Sequence, residues 1–384
     1  MARSAVRLAL AFAFALVTNA ARTDAVLVAT GAFGRIATID AVGATDIEPL
    51  AGPPLALRFG PDGRNIYGAI EEGIATKIDL PTRRVAATAR LAGRPVDLAV
   101  SGDGRYVMAA IAEPPMLAIL NAADLSEAHV APIRIENGRR SAPLAVLAVP
   151  ARSSFMVSLR DIPEVWEISH ADRPPYRGWV HDFRDDGPPS AVPRFPIRRI
   201  PASGGFAGFM ISASGDQAVG WDAASKTLRF LDLYIGRIHA SLSLGEPLSV
   251  DGAAKIGPAL LALPLAERAE LALVSAETAG VAARHPVHVS NAKILGTARD
   301  HEALVYGSDR IDFVDTSSGR VLRSARPWPG QAISAAFLDD RGGRLWLAYR
   351  EADSILMLDF PALETRNKIP FAAPAALHGI VLTR

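Results

Sequence analysis

Apolar and polar residues alternate along this chain in short bursts, and one burst recurs through its length. It reads RIATID (Arg35–Asp40), GIATKID (Gly73–Asp79), MLAILN (Met116–Asn121), EVWEIS (Glu164–Ser169), TLRFLD (Thr227–Asp232), ELALVS (Glu270–Ser275), RIDFVD (Arg310–Asp315) and SILMLD (Ser354–Asp359). A period of two puts successive side chains on opposite faces of an extended chain, so each copy predicts a strand. The copies end 39, 42, 48, 63, 43, 40 and 44 residues apart. That spacing suits the ~40 to 50 residues of a four-stranded propeller blade.

The flanks repeat as well. LRFGPDGRNIYGAI (Leu57–Ile70), LAVSGDGRYVMAA (Leu98–Ala110) and AAFLDDRGGRLWLAY (Ala335–Tyr349) each place an Asp- and Gly-bearing turn between two apolar strands. Asp bonds the backbone of such a turn and Gly accepts a positive φ, so these are hairpins. No segment carries a sustained helical stripe. The expectation is an all-β, eight-bladed β-propeller, forming a single domain over residues 21–384. HGIVLTR (His378–Arg384) looks like a lone innermost strand, whereas Ala25–Leu50 carries strands with no preceding partner. Joining the two ends would complete one blade and remove an exposed sheet edge.

Residues 1–20 belong to another pattern. Arg3 and Arg7 precede the apolar run Leu8–Val17, and Thr18–Ala21 supplies small residues. The run is too short to span a bilayer and suits a cleavable signal peptide, which predicts a periplasmic protein with no membrane span. Without residues 1–20 the chain is close to neutral, so nothing in its charge favours nucleic acid. With no Cys among 384 residues, disulfides, thiolate catalysis, Cys-held metal and covalently attached c-type haem are excluded.

The interval of 63 residues contains an insertion at about 170–200, HADRPPYRGWVHDFRDDGPPSAVPRFPIRRI. Its Trp179, Phe183 and Phe195 predict that it packs on something. His181 stands there beside Asp182 and Arg184, a grouping able to position an imidazole. His378 begins the proposed closing strand. His285 and His288 are spaced like a metal pair, but a separation of three on a strand points them to opposite faces. Arg58 and Arg94 sit at blade entrances near the axis, and Arg160 ends FMVSLR, taken as the equivalent strand of a later blade. Arg184, Arg194, Arg198 and Arg199 crowd the insertion. Guanidinium groups converging on a channel mouth would bind carboxylates, as a tetrapyrrole bearing acid side chains requires. No phosphate loop, nucleophile elbow or HExxH is present.

Four runs, PPMLAILNAADLSEAHV (Pro114–Val130), FMVSLRDIPEVWEIS (Phe155–Ser169), WVHDFR with RFPIRRI, and RLWLAYREADSILMLDF (Arg344–Phe360), resemble the haem d1 propeller family. That family includes the d1 domain of cytochrome cd1 nitrite reductase and the cysteine-free periplasmic NirF-type proteins of haem d1 biosynthesis. The resemblance implies haem d1 held over the central channel by axial His ligands, with Arg on its carboxylates. Two departures stand out: Gly52–Arg64, where the family commonly carries a His, has none, and GEPLSVDGA (Gly245–Ala253) has Leu248 where a second would stand. These departures disfavour nitrite reduction and leave two expectations. In one, the chain is a haem d1 (or precursor) binding and maturation protein whose cofactor-binding residues are Arg58, Arg94, Arg160, His181, Arg184 and His378. In the other it is a haem-free propeller that docks periplasmic redox or maturation proteins. Whether it catalyses a reaction stays open.

Overall fold

The computed structural model describes residues 25–31, 34–135, 138–172, 194–203, 206, 208–212, 214–222, 226–248, 252–257, 260–297, 299, 301–339, 343–374 and 376–381. They form eight antiparallel sheets of four strands each. Seven sheets are continuous in sequence, from blade 1 (54–90) to blade 7 (335–370). Blade 8 is composite: Ala376–Val381 is its innermost strand, paired antiparallel with Ala25–Thr30, and Ile36–Ile39 and Ala44–Asp46 complete it. The ring closes through both ends of the sequence, as the lone strand and the unpartnered strands predict.

All eight copies of the repeated burst occupy one place, the third strand from the axis. Their terminal polar residue has a local job. Asp40, Asp232 and Asp315 each accept backbone N–H groups of the turn that follows, and Asp79 accepts the hydroxyl of Thr82 at 2.7 Å. Bonds of this kind stabilise a turn without help from the core. In the first hairpin Asp62 accepts from Arg64 and Asn65, while Gly63 takes φ +64°, which a Cβ would disfavour. A 3-10 turn lies at Pro150–Arg152.

The core is distributed around the ring. Period-two alternation gives every blade two apolar faces, and eight buried clusters fill the eight interfaces between blades. Leu57, Ile66 and Ile78 of blade 1 pack on Val28 and Ile36 of blade 8, whereas Tyr67, Ala69 and Ala75 pack on blade 2. A blade alone would leave both faces wet, so the ring is the stable unit. Outermost strands such as Arg84–Arg90 alternate exposed and half-buried residues, and their charges guard the open edges. Because strands alternate in direction, innermost strands all begin on one face of the ring, here called upper, and end on the other.

Candidate functional site

Cross-strand pairing fixes which residues lie at the same height around the axis. On each innermost strand one residue stands opposite a second-strand residue that packs toward the following blade. These residues are Arg58, Ala99, Leu147, Met210, Ala254, Leu295, Phe337 and His378, opposite Tyr67, Met108, Met156, Val219, Ala262, Leu304, Trp346 and Val28 respectively. They make a floor ring, apolar except for the adjacent Arg58 and His378. Two residues nearer the upper face, about 7 Å along the strands, lies a mouth ring of Ala56, Asp97, Ala145, Gly208, Lys293, Ala335 and Ala376. Five of these seven are Ala or Gly, whereas the floor carries the larger Leu147, Met210, Leu295 and Phe337.

The polar residues of the two rings work together. Asp97 Oδ1 accepts from Arg58 Nη2 at 2.7 Å and from its neighbour Leu98 N at 2.8 Å, while Oδ2 accepts from Val146 N at 3.0 Å. One carboxylate thus ties blades 1, 2 and 3 at the axis. His378, partly buried in blade 8, is pushed down to about 4, first by burial and then by the positive charge of Arg58. It is therefore neutral at ordinary pH and able to accept a bond or bind a metal through a free ring nitrogen. Lys293 stands on blade 6, across the axis from Asp97 on blade 2. Leu55, in the bulge beside Ala56, is 42% exposed and adds an apolar contact at the mouth.

The structure brings some of the expected site residues together and separates others. Arg58 and His378 are neighbours in the floor ring. Arg94 begins the innermost strand of blade 2 on the upper face, where its exposed guanidinium meets Glu71 at 2.6 Å. Arg160 needs correction: Ser154–Leu159 is the second strand of blade 3, because Pro143–Val149 takes the place nearest the axis. It sits exposed in the turn after that strand, also on the upper face. The insertion links the third and fourth strands of blade 3, so its two ends lie on the lower face. His181, Arg184, Trp179 and Phe183 lie outside the described residues. At one end Asp172 pairs with Arg105 at 2.6 Å; at the other Arg194 donates to the Tyr106 hydroxyl at 3.0 Å. Phe195 is buried, edge-on to Tyr106 and stacked on His129. The expected packing of the insertion holds for that aromatic.

Several candidates prove structural. Arg199 forms a two-pronged pair with Glu164 beneath Trp166, and Arg198 reaches Glu167 and the carbonyls of Leu233 and Tyr234. His285, on an outermost strand, bonds the carbonyl of Thr316 at 2.7 Å. No group of three or more His, Asp or Glu that could hold a metal occurs among the described residues. His170 is buried between Tyr106 and Phe155, with Nδ1 3.5 Å from Asp103. Burial lowers its proton affinity. Sequence reasoning missed Asp97 and Lys293. The missed signal was a charge inside a strand nearest the axis.

Comparison with known proteins bears on this channel. The family profile of the cytochrome D1 heme domain matches residues 15–203. The dihydro-heme d1 dehydrogenase of Pseudomonas aeruginosa is 39% identical over 132 residues, 34% of this chain and 27% of that protein. Protein NirF of the same organism is 22% identical over 337 residues, 84% of this chain and 81% of that one. In structure, the dihydro-heme d1 dehydrogenase NirN, solved in complex with DHE, superimposes with a TM-score of 0.77 at 22% identity, covering 92% of this chain and 74% of that one. These matches make the chain a divergent, haem d1-related propeller. The stretch similar to the dehydrogenase spans only about a quarter of that protein's length.

The rings fit a haem d1 group at its periphery and only in part at its iron. Lys293 and Arg58 in the rings, with Arg94 and Arg160 above them, are suited to carboxylates. For iron, Leu248 is buried and apolar, and Gly52–Arg64 offers no imidazole. Among the described ring residues His378 is the one imidazole, and its neutral state is the one that ligates.

Proposed function

We propose that this chain binds haem d1 or a close precursor at the upper mouth of its central channel, as an exported accessory protein of haem d1 maturation. The observation that carries the reading is the pair of rings: small residues and Lys293 at the mouth, then Arg58 and a neutral His378 on an apolar floor. Similarity to haem d1 proteins supports the chemistry of the ligand. A bound tetrapyrrole would bring iron and an extended π system; the protein would orient it by its carboxylates, cover one face with apolar side chains and offer His378 to the metal. Arg3, Arg7 and the run Leu8–Val17 support export to the periplasm. Among the described residues no helix is long and apolar enough to cross a membrane.

The second reading, a haem-free module that docks other periplasmic proteins, is favoured by one observation. A Cβ at Gly208 would lie 2.5 Å from the indole of Trp221, so that indole fills part of the mouth at blade 4, as Phe337 fills the floor at blade 7. Visible absorption on titration with haem d1 and with its dihydro precursor separates the two. A shifted long-wavelength band in the wild type, lost in His378→Ala and weakened in Arg94→Ala, is expected. An unchanged spectrum in the wild type would rule out the haem reading and leave the docking one.

A further inference from the structure

Lys293 is the first residue of the innermost strand of blade 6 and is half-buried. At the same height, Asp97 has both oxygens committed to Arg58, Leu98 N and Val146 N, so it cannot neutralise a charge across the channel. Tyr306, opposite Lys293 on the next strand, is pushed up to about 12 by burial and stays protonated. Arg58 and Arg94 each have a carboxylate within 3 Å. Among the described residues no hydrogen bond or ion pair holds the Lys293 ammonium. A half-buried cation is costly to leave without an anion, and this one borders a ring whose other residues are mostly Ala.

We propose that Lys293 is the principal carboxylate anchor of the site: its ammonium takes a carboxylate of the ligand at blade 6, three blades round the ring from Arg58. The inference rests on the tetrapyrrole reading and adds a contact and an orientation to it. The ligand lies across the mouth ring with one acid group on blade 6, while His378 and Arg58 stand two and three blades further round, on blades 8 and 1. An ammonium suits this position because it is a compact charge on a flexible stem, able to follow a single carboxylate.

The test compares wild type, Lys293→Met and Lys293→Arg, each checked for an unchanged thermal midpoint. Affinity is measured for haem d1, for haem d1 with its carboxylates methylated, and for the iron-free polycarboxylate uroporphyrin. Loss of a charge-assisted bond is worth roughly ten- to a hundredfold in affinity. Lys293→Met is expected to bind haem d1 at least about tenfold more weakly, to bind the ester as the wild type does, and to be restored in large part by Arg. Equal affinity of wild type and Lys293→Met for haem d1, or an equal loss for acid and ester, overturns the anchor and leaves the haem reading standing. Lys293-dependent binding of uroporphyrin without binding of haem d1 would do the reverse. Absence of binding in both overturns both. Should Met at this position unfold the ring, Lys293→Gln replaces it in the same comparison.

Discussion

Replacing His378 with Gln should remove a pH dependence of stability whose size follows from the site. In the folded ring the imidazole is held at about 4 against an ordinary 6.5, by burial first and Arg58 second. The unfolded chain therefore takes up the proton more readily than the native one. The resulting stability is fully present above pH 6.5 and is lost as pH falls toward 4. Between pH 7.5 and 4.5 the full shift is worth about 2.6 kcal/mol, and the ring's partial contact with water reduces the expected figure to about 2 kcal/mol. Urea unfolding of wild type and His378→Gln at several pH values measures it, because carboxylates titrating elsewhere cancel in the difference. The wild type should lose about 2 kcal/mol relative to the variant across that interval. Parallel curves would show that His378 titrates alike in both states, and with that the description of a neutral imidazole beside a guanidinium would fail.

Three further outcomes follow from the same geometry. In Arg58→Met the repulsion on His378 disappears and the Asp97 charge is freed, so the ring should titrate higher than in the wild type, read from its proton resonances by NMR. Glu167 is buried against Arg152 at 2.7 Å, with Arg198 at 3.5 Å; Glu167→Ala strands a buried guanidinium and should lower the unfolding free energy by about 3 to 5 kcal/mol in urea. Asp97→Ala leaves the Val146 N–H and Arg58 without their shared acceptor and should cost about 2 to 4 kcal/mol, seen as a lower thermal midpoint with secondary structure unchanged below it.

The blades were legible in the sequence because their physics is local. Alternation at period two, Asp in the turns and Gly at positive φ are written within a few residues, and the closing strand was visible as a strand without a partner. The rings were not legible, for a specific reason. Pairing shifts register between Pro54 and Ala56, between Pro95 and Asp97, and between Pro143 and Ala145, just before the mouth ring in blades 1, 2 and 3. A bulge moves every later residue to the other face. Alternation alone therefore cannot say whether Asp97 or Leu98 borders the axis. Arg160 was misplaced for a related reason: FMVSLR has the composition of an innermost strand, and only its hairpin with Pro143–Val149 makes it the second. Lys293 carried no local mark beyond its charge, since its meaning comes from Asp97 on the far side of the ring.

The strand that closes blade 8 also carries His378. Its pairing with Ala25–Thr30 joins segments separated by almost the whole described chain, the slowest kind of contact to form. Until it forms, seven blades have no imidazole at their axis and the Arg58 guanidinium has open water where His378 will stand. Ring closure is therefore also the step that brings the imidazole to the axis, and a chain trapped short of closure would be folded through most of its length while lacking His378 beside Arg58. A ligand that touches both His378 and its neighbours on blade 1 would bridge the seam itself, so binding should hold the ring shut.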